Sequence, residues 1–383
     1  MDKNTIIGFV LIAALLIGFS WYTQPSEEDI AKQRMQDSIT ALAKKKAEES
    51  RNAEAQASNQ NAQNNVNADT TAVFYKSLSG KAQNIILKNS KLELTLSTKG
   101  GTVEKAVIKD FKDNKGNKDL TLFDSKDQSL KFMLEGKETN IITSDLYFTP
   151  SNITDSTVTM TAVGSNGRSL VMNYKLGKNY LLHFSLKANG MSGLFSPNYN
   201  KLDIEWTDHC RQQEKGFTFE NRYASLTYHF TDGGTDYISE TSEKVDEKIE
   251  DAIDWVAFKN QFFSAVMIAK DDLGTNSLMT SIPQEKGSGY LKQYGAKVKT
   301  SFDPTGNNST ELEFYYGPND FRLLQKIEKE STFNKDLELH RLVYLGWPLF
   351  RIINRWFTLY VFDWLTGLNI NMGIVLILIT LLL

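Results

Sequence analysis

A single cysteine, Cys210, stands in 383 residues, and that scarcity removes two classes of explanation. No intramolecular disulfide can form, and no paired-cysteine metal or redox motif can be built. A domain of this length folds without such a staple, because it buries enough surface on its own. Charge of one sign is lacking too: 43 Lys plus Arg face 46 Asp plus Glu, so nothing recommends nucleic acid as a partner. There is no Gly-rich phosphate loop and no nucleophile elbow in a Ser-His-Asp order. Histidine is sparse, with His183, His209, His229 and His340 the whole supply. Composition therefore points to no cofactor, no metal and no catalytic residue.

Long hydrophobic runs occur only at the two ends. Thr5 to Tyr22 is uncharged, follows Asp2 and Lys3, and ends in Trp21 and Tyr22, aromatics that suit a membrane-interface belt better than a cleavage site. It reads as an uncleaved anchor with a cytoplasmic N-terminus, the orientation that Lys3 favours. Gly373 to Leu383 is apolar throughout but supplies only about half of the ~20 residues that cross a bilayer. The expectation is a chain that stops inside a second transmembrane helix, the N-terminal portion of a longer membrane protein.

Between these ends the pattern changes twice. Ser26 to Ser50 holds helix formers with a thin apolar stripe, and Arg51 to Thr70 is Asn, Gln and Ala with almost nothing to bury. Together they read as a helical and then disordered tether. From Asn84 the period becomes two: Leu92, Leu94 and Leu96 alternate with polar residues, and Gly100-Gly101 supplies a turn. Short extended segments recur at Leu130–Leu134, Ile141–Thr149, Thr157–Val163, Leu170–Leu176, Leu181–Ala188 and Leu202–Trp206. Ser264–Ala269, Gly289–Lys299 and Thr310–Tyr316 close the set, and Asp320–Glu330 follows as a short surface helix. Many short strands between turn residues predict a mainly β, antiparallel sandwich.

Five segments in order resemble one family, the YidC membrane-protein insertases in their long form. They are the N-terminal anchor, Leu92 to Ile108 with its Gly-Gly turn, Trp255 to Phe263, Tyr316-Gly-Pro-Asn319, and Tyr344 to Phe350 leading into an amphipathic stretch. The resemblance implies a large periplasmic β-sandwich, a supersandwich like that of galactose mutarotases, carried in front of a five-helix membrane core. It implies an inner-membrane, multi-pass protein that helps insert, fold and assemble integral membrane proteins, alone or with the Sec translocon, without enzymatic chemistry. The family works through a hydrophilic groove with a basic residue on the second span, which here falls beyond Leu383. Implied partners are nascent membrane proteins, the Sec translocon with its accessory subunits, the lipid bilayer, and the ribosome through regions outside this chain. On that plan residues 1–25 are the anchor, 26–70 the tether, 71–339 the sandwich, 340–368 an interfacial helix and 369–383 the start of the second span.

The interfacial stretch is legible residue by residue. Pro348 suits a first helical turn. Arg351, Asn354, Arg355 and Thr358 follow i, i+3, i+4, i+7 spacing and make one polar stripe, while Trp347, Trp356 and Phe357 lie among the apolar remainder. Trp21, Tyr22, Trp347, Arg351, Arg355, Trp356 and Phe357 are thus the candidate membrane-interface residues.

The alternative is a membrane-anchored carbohydrate-binding or mutarotase-like periplasmic protein. An epimerase needs a carboxylate base and a His acid across a cleft. His183, in a strand-like run, reads as structural. Glu205, Asp208, His209 and Cys210 form the densest polar cluster, match no metal-ligand spacing and read as a hydrogen-bonded turn. Trp206 and Trp255 read as core aromatics.

Overall fold

The computed structural model describes residues 73–238, 244–344, 357–368 and 371–382. The anchor and tether, Trp21 and Tyr22 among them, lie outside the described residues, as do 345–356.

The leucine alternation sets the first sheet. Leu92, Leu94 and Leu96 are fully buried while Glu93 and Thr95 are half-exposed, which is what a strand with one apolar face requires. The turn that follows needs its glycines: Gly100 and Gly101 have φ of +80° and +68°, and a Cβ on Gly101 would meet Met172 Sδ at 2.6 Å. The four strands β1 (Asn84–Lys88), β2 (Leu92–Ser97), β3 (Val103–Ile108) and β4 (Leu120–Phe123) form a meander in chain order.

Fifteen further strands build two larger sheets. They are β5 (Gln128–Leu134), β6 (Ile141–Ile142), β7 (Thr149–Ser151), β8 (Thr157–Val163), β9 (Ser169–Leu176), β10 (Leu181–Asn189), β11 (Lys201–Arg211), β12 (Ser225–Phe230), β13 (Thr235–Ile238), β14 (Val245–Ile249), β15 (Ile253–Lys259), β16 (Phe263–Ala269), β17 (Ser277–Pro283), β18 (Tyr290–Ser301) and β19 (Thr310–Pro318). The nine-stranded sheet runs β13-β12-β15-β16-β19-β10-β9-β8-β7 and the six-stranded one β14-β17-β18-β11-β5-β6. Every strand pairing is antiparallel. A seven-residue helix, α1 (Phe217–Tyr223), precedes β12.

Aromatic contacts between sheets define the sandwich. Trp206 on β11 stacks on Phe258 of β15 with ring centroids 4.0 Å apart, and Phe132 on β5 stacks on Phe184 of β10 at 5.2 Å. Phe123 on β4 meets Tyr316 of β19 edge-on at 5.4 Å, so the small sheet also faces the nine-stranded one. Both Trp206 and Trp255 are fully buried, as core aromatics should be.

Strands β15 and β16 are buried at every position. One face meets the sandwich core, and the other lies under the segment that follows the helix α2 (Phe321–Glu330). Asp320 caps α2 by accepting the Leu323 amide at 2.7 Å, and Phe321, Leu324 and Ile327 form its buried side. Spacing i, i+3, i+6 places these three on one face, so the expected surface helix is amphipathic, with Leu324 and Ile327 in the main core.

Three expectations need correction. Ile141–Thr149 is not one strand: the Thr143 hydroxyl accepts the Phe132 amide at 3.1 Å, a 3-10 turn spans Thr143–Asp145, and the chain crosses from β6 in one sheet to β7 in the other. Leu202–Trp206 continues without a break to Arg211, because the buried/half-exposed alternation never lapses. Asp208, His209 and Cys210 therefore sit on a strand, not in a turn.

Candidate functional site

Two apolar helices stand at the C-terminal end. In α3 (Leu359–Gly367) and α4 (Met372–Leu382), Leu365, Val375 and Ile379 are buried against one another, with Val361 and Phe362 beside them. Trp364, Leu376, Ile377 and Leu381 are exposed, Leu381 by 79%. A helix that is apolar all round belongs in lipid or in a protein interior. At 11 residues α4 extends roughly 16 Å. No helix among the described residues is long and apolar enough to cross a membrane.

A polar clamp joins this pair to the sandwich. Arg322, on the outward side of α2, donates from Nη2 and Nε to Asp363 Oδ2 of α3 at 3.0 and 3.2 Å. Its guanidinium also lies 4.9 Å from the ring centroid of Tyr360, so the arginine is held by charge on one side and a π-face on the other. Asp363 is the lone acid of an aromatic, apolar helix, and Arg322 answers it.

The segment between α2 and Tyr344 forms a strap across the outer face of β12, β15 and β16. Trp255 Nε1 donates to Leu337 O at 2.7 Å, Lys259 Nζ to Leu342 O at 3.0 Å, and Lys335 Nζ to Asp254 Oδ1 at 2.5 Å. A Leu339–Leu342 3-10 turn follows, with Leu339 N bonded to Glu328 Oε2 at 3.2 Å. Buried polar groups satisfied in this way fix the path of the strap as it leaves the sheet.

A cleft of about 400 Å³ lies over β8, β9, β10 and β19 and contains His183 and Glu313. His183 Nδ1 is 3.0 Å from Glu313 Oε1, and the same oxygen accepts from Thr332 N at 3.0 Å and Thr332 Oγ1 at 2.8 Å. Burial pushes the Glu313 carboxyl up, but the hydrogen bonds from His183, Thr332 and Ser331 outweigh it and hold the group below its usual range. A fully buried carboxylate so engaged is poorly placed to take a proton from a ligand. His183, with 29% of its side chain exposed, is the partner of that carboxylate rather than a poised acid.

Along β11 the polar cluster divides between the faces of the strand. Asp208 and Cys210 are buried, whereas Glu205 and His209 lie on the half-exposed side. Burial first, and the neighbouring Asp127 carboxylate second, push the Asp208 carboxyl up to about 8. Burial likewise raises the Cys210 thiol well above its ordinary value, so it is not a reactive thiolate. Among the described residues no group of three His, Cys, Asp or Glu side chains is arranged to hold a metal ion.

The sequence model of the YidC periplasmic domain matches residues 84–360, from β1 to the first turn of α3. The chain belongs to the YidC family. Among curated relatives named membrane protein insertase YidC, that of Phocaeicola vulgatus is 48% identical over 382 residues, covering 99% of this chain and 60% of the relative. Those of Bacteroides fragilis and Parabacteroides distasonis are 42% and 34% identical, each over 99% of this chain and 61% and 62% of the relative. The chain thus spans about 60% of the length of the YidC proteins it matches. Among solved structures, a galactose mutarotase related enzyme from Lactobacillus acidophilus covers 61% of this chain and 97% of its own, at 10% identity and a TM-score of 0.38. A putative aldose 1-epimerase from Escherichia coli K12 covers 62% and 100%, at 8% identity and a TM-score of 0.37. Likenesses at that level carry no argument about chemistry.

Of the residues that the YidC resemblance and the helical spacing single out, Trp21, Tyr22, Trp347, Arg351, Arg355 and Trp356 lie outside the described residues. Phe357 is described: it is exposed and sits two residues before α3. Arg322 and Asp363 were missed in the sequence. The signal available was Asp363 itself, an acid in an apolar aromatic run, which calls for a cationic partner. The partner is 41 positions away, and no local spacing names it.

Proposed function

We propose that this chain is the sandwich-bearing portion of a membrane protein insertase. In this reading the sandwich stands in the periplasm, the strap and the Arg322–Asp363 clamp fix where the chain leaves it, and α3 and α4 enter the lipid of the inner membrane. Trp347, Arg351, Arg355, Trp356 and Phe357 lie in the interface, arginines towards headgroups and aromatics towards acyl chains. Trp21 and Tyr22 do the same for an N-terminal anchor. The observation that carries the proposal is the family match over 84–360, ending within the apolar helix α3.

Insertion needs no bond chemistry. A charged side chain costs about 2.5–3.5 kcal/mol or more at the bilayer centre, so a wet, basic half-groove lowers the cost of drawing a polar segment partway across. That groove belongs to membrane helices following the sandwich. The clients are nascent membrane proteins, delivered by the ribosome or the Sec translocon, and the sandwich serves as a docking body for translocon accessory subunits. The His183–Glu313 cleft, with its carboxylate already engaged, favours this reading over a sugar epimerase.

The test is photocrosslinking in cells, with the reactive residue at Phe357 or Trp364 and a single-span client stalled during synthesis. Adducts with lipid and client are expected at both positions. Turnover of an aldose by the purified chain, with no client adducts, would move the assignment to the enzyme.

A further inference from the structure

A cavity of about 530 Å³ opens where the strap passes the ends of β12, β15 and β16. Its volume is that of a small-molecule site. Six carboxylates line it: Asp232 after β12, Asp254 on β15, Asp271 and Asp272 after β16, and Asp336 and Glu338 on the strap. Lys335 answers Asp254, and Arg341 answers Glu338 at 2.7 Å, which leaves a large negative excess in a concave wall. Burial raises the Asp254 carboxyl, but His229 and Lys335 hold it below its usual range; burial also raises Glu338, and Arg341 and His229 hold it down.

At the floor lies His229, 1% exposed, with its ring stacked on Trp255 at 5.8 Å. Neither ring nitrogen has a hydrogen-bond partner. The nearest carboxylate oxygens, Asp254 Oδ2 at Nδ1 and Glu338 Oε2 at Nε2, are each 3.5 Å away, too long for good hydrogen bonds. Glu338 Oε2 is likewise buried without a hydrogen-bond partner, so a carboxylate oxygen at this corner is left without a donor.

One corner already displays the fitting chemistry. The Lys335 ammonium sits among Asp254 Oδ1 at 2.5 Å, Ala269 O at 3.4 Å and Asp271 O, an acceptor cradle filled by the chain's own lysine. A chelated metal does not fit: the two carboxylates flank opposite ring nitrogens, and no three ligands converge among the described residues.

We propose that this pocket binds an organic polycation through its primary ammonium groups, and that the occupant is a free linear polyamine. One ammonium meets the unpartnered Oε2 of Glu338, and another meets Asp271 and Asp336 at the mouth. The site is independent of insertion, since it rests on β12, β15, β16 and the strap alone.

The test is calorimetric titration of spermidine into the full 383-residue chain in detergent micelles at fixed ionic strength. The expected result is saturable, one-site binding that magnesium chloride at matched ionic strength does not displace. Asp271→Asn with Asp336→Asn should weaken it by about tenfold or more, as should Glu338→Gln, while Asp155→Asn on a remote turn leaves it unchanged. Should Glu338→Gln fail to fold, the Asp pair, which keeps the size of both side chains, carries the test. Unsaturable heat, displacement by magnesium, or undiminished binding by the double variant overturns the proposal. Tighter binding of a trilysine peptide than of spermidine also overturns it, assigning the pocket to a basic protein segment instead.

Discussion

The sandwich and the helix pair after it solve the problem of apolar surface in opposite ways. In the sandwich, Trp206, Phe258 and Tyr294 stack in series between sheets, and all three are essentially removed from water. In the helix pair, among the described residues, Leu365, Val375 and Ile379 are buried, while Trp364, Ile377 and Leu381 face outwards. The first region is complete in water; the second, on the proposed reading, is completed by lipid. Among the described residues, a strap held by buried hydrogen bonds leads out of the sandwich and one exposed ion pair reaches the helix pair.

The largest break in that comparison comes from the core. Trp206→Ala is expected to lower unfolding free energy by about 3–5 kcal/mol, read as a fall in denaturant midpoint of the chain in detergent. Trp364→Ala should leave that midpoint in place and weaken partition into vesicles instead. Equal destabilisation by both would mean that the helix pair belongs to the sandwich core.

Next in size is a pH dependence confined to the sandwich. Asp208 titrates at about 8 when folded, against an ordinary value of 3.8, so the folded chain holds a proton that the unfolded chain releases. Its contribution is fully present below about pH 4 and is lost as pH rises towards about 8, on the order of a few kcal/mol. Glu220, which burial pushes up to about 7, acts in the same direction. Asp208→Asn should flatten most of the slope in urea midpoints between pH 5 and 8. An unchanged slope would show that Asp208 is ionised throughout.

A smaller effect is expected at the interface. Trp356→Glu with Phe357→Glu should reduce lipid crosslinking of the segment and impair client insertion, with sandwich stability unaltered. Undiminished crosslinking and insertion would remove these residues from the interface.

The smallest thermodynamic change is at the joint. Arg322 and Asp363 are both substantially exposed, so Arg322→Ala should cost about 1 kcal/mol or less. Amide exchange in α3 should nevertheless rise while β15 stays protected. Unaltered exchange in α3 would deny the clamp a role.

How much of this was legible in the sequence follows the range of each signal. Period-two leucines and turn glycines gave β2, β8, β9 and β10 nearly to the residue, because those signals are local. Strands β12 to β15 escaped: Trp255 to Lys259 is buried on both faces, so no alternation marks it. The break at Thr143 escaped because a hydroxyl captures an amide eleven positions earlier in the chain. The strap escaped for the same reason, since Trp255 meets Leu337 at a separation of 82 residues. Arg322 carried no local mark at all.

The contrast between the two regions is tested most directly by scanning a photoreactive residue through Ile153 on the sandwich, then Tyr360, Trp364 and Leu381, in the membrane-bound chain. Lipid adducts are expected at Trp364 and Leu381, fewer at Tyr360 under Arg322, and none at Ile153. Adducts at Ile153 to the same extent, or none at Trp364 and Leu381, would contradict the account.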